Sequence, residues 1–154
     1  MAASKKNANA VAKKARPSSS LPTVIFTRNR QRRLRIDRRM LTQLAARTLA
    51  ELGSPLDALG IILVNDAQMA GYNERFHQCA GPTDILTFGY EGIGELIISA
   101  DHAISNARRF RTTPERELAL YVIHGILHLH GYNDHTPAQR RRMRAAERRF
   151  MAAA

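Results

Sequence analysis

Two histidines four residues apart, His124 and His128, stand in an almost entirely apolar part of the chain. Residues with this spacing lie one above the other on a helix, so both imidazoles can reach the same cation. Burying two unpaired imidazoles is costly, and a shared metal ion removes that cost. Zinc binds imidazole nitrogen, and a catalytic zinc site has three protein ligands and one open position. The spacing therefore predicts a site for one Zn²⁺ ion per chain.

A third ligand is available just beyond these histidines. Gly131 favours a sharp turn at a helix end, because glycine adopts positive φ without strain. This turn can bring either Asp134 or His135 back toward the two imidazoles, and both side-chain types bind zinc. His130 is two residues beyond His128 and on a different helix face, so we expect an ordinary histidine at the surface or the core edge.

The histidines require a long buried helix to position them. Thr113 is a good N-cap, Pro114 suits the first helical position, and Glu115 and Glu117 fall in the positively polarised first turn. Over residues 118–129 the apolar side chains surround the whole helix and do not form a single stripe. A helix of this kind is buried in a core.

The other hydrophobic patterns predict a small sheet with helices around it. Strands are expected at residues 21–27, 60–64, 85–90 and 95–99. Residues 33–36 are expected to form either a strand or a loop. Further helices are expected after Asp37, over residues 67–76 and 101–111, and after a capping-box pattern at Thr136. These elements predict an α+β fold of about four strands surrounded by helices, with the metal ligands on the buried central helix.

Positive charge is concentrated in three segments of the chain. The net charge is +11; residues 1–20 have five basic side chains and no acid, and residues 136–154 have six arginines against Glu147. Residues 28–39 contain seven more arginines. Basic segments of this kind attract polyanions, and we expect them to bind RNA. The candidate RNA-binding residues are Arg28, Arg30, Arg32, Arg33, Arg140, Arg141 and Arg144.

Length and composition indicate one domain with a small tail. Of the 154 residues 44% are apolar, which is ordinary for a globular protein. We expect residues 1–20 to be a disordered basic tail, or alternatively an organellar targeting segment, and residues 21–154 to form a single domain. The single cysteine, Cys79, excludes an internal disulfide and favours a reducing, cytoplasmic location. No apolar run is long enough to cross a bilayer, so no membrane association is expected.

Three ordered motifs carry a resemblance to a known family. They are N-E-R-F-H-Q-C-A-G-P-T-D-I-L-T-F at residues 73–88, G-E-L-I-I-S at 94–99 and H-G-I-L-H-L-H-G-Y-N-D-H at 124–135. They resemble the patterns N-x-x-Y-R then P-T-D-V-L-S-F, G-D-I-x-I-S and H-G-x-L-H-L-x-G-Y-D-H of the YbeY family of ribosomal RNA maturation endoribonucleases. The resemblance implies a mixed sheet and a cleft in which the metal lies beside a sheet edge.

The chain departs from the family pattern at two positions. The family's third ligand is a histidine six residues after the second, and gapless counting places Asp134 there. A one-residue insertion at Asn133 would align His135 instead, so His135 is the alternative to the favoured Asp134. His77 stands where the family has an arginine after the aromatic residue. The resemblance implies that His77, or Arg75 beside it, binds substrate phosphate; otherwise His77 is a loop residue without a role.

The implied activity is single-strand-specific, metal-dependent cleavage of RNA. The nucleophile would be the zinc-bound water, and we assign no general base. From the resemblance, the substrates are ribosomal RNA precursors, chiefly at the 3′ end of 16S RNA, and RNA of defective ribosomes. The implied partners are ribosomal RNA, the small ribosomal subunit and an assembly GTPase.

Two other functions compete with this one. The first is a zinc hydrolase of another substrate class, such as a peptidase. The glutamate base of H-E-x-x-H peptidases would stand at position 125, where this chain has Gly125. The second is a non-enzymatic ribosome-assembly module with structural zinc, which normally has four protein ligands. That function would gain support if Asp134 and His135 both bound the ion.

Overall fold

Strands and helices alternate in the first half of the chain, and three successive helices end it. The computed structural model describes residues 21–77 and 83–154, except for the side chain of His77. The strands are β1 (Val24–Asn29), β2 (Ala58–Val64), β3 (Ile85–Tyr90) and β4 (Ile93–Ser99). The helices are α1 (Arg38–Glu51), α2 (Asp66–His77), α3 (Ala100–Phe110), α4 (Pro114–Leu129) and α5 (Pro137–Ala152). Residues 33–36, expected as a strand or a loop, form no strand.

The four strands form one mixed sheet in the order β1-β2-β4-β3. Strands β1, β2 and β4 are parallel, whereas β3 pairs antiparallel with β4 and lies at the edge. Glu91 and Gly92 connect β3 to β4 with φ values of 42° and 83°. Positive φ at both central residues is the geometry of the type I′ hairpin turn. The α+β fold with a small mixed sheet is confirmed.

Helix α4 is buried between the sheet and α5. One side of α4 packs on the sheet and α1 through Leu118, Val122 and Ile126. The opposite side packs on α5 through Ile123 and Leu127. Apolar packing on both sides explains why the sequence of this helix is hydrophobic around its whole circumference. The predicted buried central helix is therefore confirmed.

Close packing of α4 on the sheet depends on Gly125. A Cβ atom at this position would lie 2.6 Å from Cδ2 of Leu96 and 2.7 Å from Cδ1 of Ile85. Contacts this short require the neighbouring side chains to move. The residue next to His124 is therefore held against the sheet, and any side chain at this position requires Leu96 and Ile85 to move.

The turn after α4 is a Schellman motif centred on Gly131. The amide of Tyr132 donates to the carbonyl of Leu127, and the amide of Gly131 donates to that of His128. Gly131 has φ of 90°, and Tyr132 packs against the cluster that contains Leu127. The motif reverses the chain and fixes the path of the residues that follow.

Residues 1–20, predicted as a disordered basic tail, lie outside the described residues. Within residues 21–77 and 83–154, no helix has the length and apolar character needed to cross a membrane.

The turn at Gly131 can be tested with a matched pair of glycine substitutions. Gly131→Ala should destabilise the fold by about 1–2 kcal/mol, because a side chain strains the left-handed backbone. Gly71→Ala, on the exposed face of α2 with open space around it, should stabilise the fold by about 0.5–1 kcal/mol. The measurement is the urea unfolding midpoint. Equal midpoints for the two variants would contradict the assignment of the Schellman turn.

Candidate metal centre

Three potential ligand atoms converge at the end of α4. Nε2 of His124 lies 3.0 Å from Nε2 of His128. Oδ2 of Asp134 lies 3.8 Å from the first of these atoms and 3.6 Å from the second. Within the described residues, these three side chains form the one cluster of potential metal-binding groups, with ligand atoms all within 4.8 Å of one another.

The separations of these atoms suit a zinc ion. Zinc with bonds of about 2.0–2.1 Å and tetrahedral geometry has ligand atoms roughly 3.3–3.4 Å apart. The observed separations of 3.0, 3.6 and 3.8 Å bracket this value. Two imidazole nitrogens and one carboxylate oxygen are also a donor set found in catalytic zinc sites. The residues present therefore fit the metal that the sequence implies.

Local structure explains why the three atoms meet. His124 and His128 are one helical turn apart on α4, so their rings project in the same direction. The Schellman turn at Gly131 then sends the chain back past the end of the helix. Asp134 lies on this returning segment with its side chain 38% exposed, so the cluster opens to solvent.

Glu147 of α5 holds the outer nitrogen of His124. Its Oε1 lies 2.5 Å from Nδ1 of His124, and a carboxylate at this distance accepts the Nδ1 proton. The remaining nitrogen, Nε2, then offers its lone pair toward His128 and Asp134. A carboxylate behind a ligand histidine is a recurrent arrangement at metal sites, where it fixes the tautomer and the ring orientation.

Glu147 is not among the site residues predicted from the sequence, although the pattern of the last helix contains a signal. Glu147 is the one acid among six arginines in residues 136–154. It also falls four residues after Met143 and three before Phe150, both of which are buried against α4. An isolated carboxylate on the packing face of a basic helix indicates a specific partner in the neighbouring element.

The environments of the two histidines shift their pKa values in opposite directions. At His124, burial disfavours the charged ring, but the hydrogen bond and charge of Glu147, with the charges of Asp134 and Asp84, raise the pKa. At His128, burial and the positive charge of His124 lower the pKa. Because the charge on one ring opposes charge on the other, simultaneous protonation of both rings is disfavoured.

The cluster lies in a small cleft beside the edge strand β3. The cleft has a volume of about 210 Å³ and is lined by the three clustered side chains together with Asp84, Ile85, Leu86 and Thr87. Asp84 accepts hydrogen bonds from the amide of Ile85 and the hydroxyl of Thr83. These contacts hold its carboxylate at the rim of the cleft.

The other candidate ligands lie apart from this cluster. His135 is exposed, and its amide donates to Oε1 of Gln139 in the first turn of α5. His130 is half-buried: its Nδ1 donates to the carbonyl of Ile126, and its Nε2 accepts from the hydroxyl of Ser54. The structure therefore brings Asp134, and not His135, to the histidine pair, and His130 has the ordinary structural position expected of it.

The predicted phosphate-binding and RNA-binding residues are spread over several surfaces. Arg75 is exposed on α2 near the ring of Phe76, and the side chain of His77 lies outside the described part of the structure.

Arg30 donates to the hydroxyl of Tyr72, and Arg33 pairs with Asp101. The exposed side chains of Arg28, Arg32 and Arg141 line neither of the two clefts near the cluster. Arg140 donates to the carbonyls of Asp134 and His135, and Arg144 lines a larger groove beside the cleft.

The fold and the cluster together define a class of protein. A small α+β structure holds two imidazoles and a carboxylate on a rigid helix and its turn, at the base of a solvent-open cleft. Three ligands with space for water are typical of hydrolytic metal sites, whereas structural zinc sites are closed by four protein ligands.

Comparisons with known proteins identify the family. A family model described as Endoribonuclease YbeY matches residues 26–154. An endoribonuclease YbeY of Heliobacterium modesticaldum is 33% identical over 132 residues, covering 73% of this chain and 80% of that protein. One of Phocaeicola vulgatus is 40% identical over 104 residues, covering 65% of this chain and 75% of that protein. The chain belongs to the YbeY family of endoribonucleases, which confirms the resemblance seen in the motifs.

A solved structure supports the same assignment of the fold. The solution structure of a protein from Thermotoga maritima has a TM-score of 0.59 to this chain at 27% sequence identity. The similarity covers 83% of this chain and 87% of that one. The mixed sheet and its surrounding helices are therefore shared over most of both proteins.

The contact between Glu147 and His124 can be tested by NMR spectroscopy. In metal-free protein at a pH where the ring is neutral, His124 should carry its proton on Nδ1, because Glu147 accepts it. Glu147→Leu should shift His124 toward the Nε2–H tautomer, whereas Glu115→Leu, in the exposed first turn of α4, should not. Imidazole ¹H–¹⁵N correlations report both states. An Nε2–H tautomer in the wild type would contradict the assigned role of Glu147.

Proposed function

We propose that this chain is a zinc-dependent endoribonuclease that hydrolyses phosphodiester bonds in single-stranded RNA. Membership of the YbeY family of endoribonucleases supports cleavage of RNA. The single observation that carries the zinc dependence is the convergence of His124, His128 and Asp134 in an open cleft. We propose these three residues as the ligands of one ion per chain.

The donor set favours zinc for this ion. Imidazole suits zinc, and zinc accepts a carboxylate as a further ligand, whereas magnesium and calcium prefer oxygen ligands. When bound at such a site, zinc acts as a Lewis acid and lowers the pKa of a bound water to about 7. Asp134 supplies negative charge that a third neutral histidine would not, so the site is less positive than a three-histidine site.

Other residues of the chain would support the proposed ligands. Glu147 accepts a hydrogen bond from Nδ1–H of His124 and so keeps Nε2 directed into the cluster. Asp84 stands at the rim of the cleft, where its carboxylate is fixed by the amide of Ile85. No side chain is assigned as general base.

The family resemblance also guides the choice of substrate, partners and domain organisation. We propose ribosomal RNA precursors as substrates, with maturation of the 16S 3′ end and removal of defective ribosomes as the cellular role. The small ribosomal subunit and an assembly GTPase are the proposed partners, and the cytoplasm is the proposed location. We propose that residues 21–154 form one domain preceded by a disordered basic tail.

Substrate phosphates would be bound by basic residues outside the metal cluster. We propose Arg75 and His77 as phosphate-binding residues. The arginine-rich segments would attract the RNA backbone without reading its sequence. The residues proposed from these segments are Arg28, Arg30, Arg32, Arg33, Arg140, Arg141 and Arg144.

Specific observations disfavour the two competing functions. A peptidase of the H-E-x-x-H kind needs a glutamate base at position 125, where this chain has Gly125 packed closely against Leu96 and Ile85. A structural zinc site needs a fourth protein ligand, and within the described residues the exposed His135 is not part of the cluster of ligand atoms.

Alanine substitutions of the two adjacent candidates test the ligand set and the activity together. Asp134→Ala should lose most bound zinc and cleave single-stranded RNA at least about 100-fold more slowly, because a ligand oxygen is removed. His135→Ala should retain one zinc per chain and near wild-type cleavage. Zinc content is measured by mass spectrometry, and cleavage with a labelled oligoribonucleotide.

Folding is checked in both variants by circular dichroism. The proposal is wrong if folded Asp134→Ala retains zinc and cleaves RNA as fast as the wild type. Cleavage of a casein substrate, measured in parallel, should be absent for every variant, and hydrolysis of casein at the RNA rate would favour the peptidase instead.

A further inference from the structure

A larger groove lies next to the metal cleft, between α3, the start of α4 and α5. Its volume is about 1060 Å³, just above the usual range for pockets that hold drug-sized ligands. Asp84 lines both the groove and the cleft. Glu147, which contacts His124, also lines the groove. The groove therefore adjoins the metal cleft.

Four arginines from three different helices line this groove. They are Arg109 of α3, Arg116 of α4, and Arg144 and Arg148 of α5, and all four are exposed. Within the described part of the chain, none of these guanidinium groups forms an ion pair, in contrast to Arg33 with Asp101 and Arg149 with Glu51. Their positive charge is therefore available to a ligand.

The carboxylates that line the groove are engaged with the protein itself. Glu117 is buried and accepts a hydrogen bond of 2.5 Å from the hydroxyl of Thr112. Glu147 is held by His124, and Asp84 by the amide of Ile85. The side chains that project freely into the groove are thus basic, and the groove favours an anionic ligand.

An exposed aromatic ring stands among the arginines. Phe110 lines the groove with 57% of its surface exposed, and Cζ of Arg109 lies 5.2 Å from its ring centroid. A cationic groove with an aromatic surface is the combination by which proteins bind single-stranded nucleic acid, through phosphate contacts and base stacking. An acidic protein segment would use the charges but would not require the stacking surface.

We propose that this groove binds the single-stranded RNA that flanks the cleaved bond, with phosphates on Arg116 and Arg148 and a base on Phe110. The proposal rests on the proposed endoribonuclease function of the adjoining cluster. Among the candidate RNA-binding residues named from the sequence, Arg144 is the one that lines the groove. The arginines of the groove are substrate-binding residues that do not reach the metal cluster, so they should affect RNA binding and not the chemical step.

A charge-matched pair of double variants tests the groove. Arg116→Gln/Arg148→Gln removes two positive charges from the groove. The control, Arg47→Gln/Arg108→Gln, removes two exposed charges from α1 and α3 that do not line it. Zinc-loaded full-length protein in excess cleaves a labelled single-stranded oligoribonucleotide in single turnover. The dependence on protein concentration gives the half-saturating concentration and the maximal rate, and fluorescence anisotropy gives the Kd of the same RNA.

The groove variant should raise the half-saturating concentration and the Kd about tenfold, with a maximal rate within about twofold of the wild type. The slope of log Kd against log salt should fall by about 1.4, because each lost phosphate contact to a single strand removes about 0.7. The control variant should change each quantity by less than about threefold. Phe110→Ala should weaken binding about 5-fold or more through lost stacking.

Two results separate failure of this inference from failure of the proposed function. If the wild type cleaves RNA and the groove variant binds it as tightly as the control, the groove does not hold the substrate and this inference is wrong. Binding of an acidic peptide that depends on Arg116 and Arg148, with RNA binding unchanged, would assign the groove to a protein partner. If the wild type does not cleave RNA, the proposed function fails, and anisotropy still decides whether the groove binds RNA.

Discussion

The spacing of two imidazoles on a buried helix is the constraint on which the rest of the structure depends. Nε2 of His124 and Nε2 of His128 lie 3.0 Å apart because one helical turn separates the residues. The helix that carries both rings cannot shift without disturbing the core on both of its sides. The carboxylate of Asp134 joins the pair because the Schellman turn at Gly131 directs the chain back toward it. This arrangement of lone pairs and negative charge favours a cation.

The neighbouring elements each contribute to this arrangement. The sheet supports α4 from one side, and Gly125 allows the close approach. Helix α5 supports it from the other side and supplies Glu147 to the outer nitrogen of His124. The same helix also supplies Arg144 and Arg148 to the adjoining groove. Because α5 bears both the partner of a proposed ligand and proposed substrate contacts, its packing on α4 would couple the proposed metal binding to the proposed RNA binding.

The amino-acid sequence was sufficient for the features that depend on local periodicity. Helix α4, its N-cap, its glycine turn and the histidine pair follow from spacing alone, and the mixed sheet followed from the family motifs. The sequence left Asp134 and His135 as alternatives, because the direction of each side chain depends on the three-dimensional path of the turn. Glu147 was missed because its contact with His124 spans 23 residues and two helices. Arg109 and Arg116 were missed for a similar reason: both stand outside the dense basic segments, and only folding places them beside Arg144 and Arg148.

The central claim is that two histidines and one carboxylate bind a zinc ion whose fourth position is open to water. X-ray absorption at the zinc edge of the loaded protein tests it most directly. The claim predicts four nitrogen or oxygen neighbours at about 2.0–2.1 Å, with the multiple-scattering signature of two imidazoles and no sulfur. A sulfur neighbour at about 2.3 Å, which would place Cys79 at the ion, would contradict the account, as would a signature of three or more imidazoles.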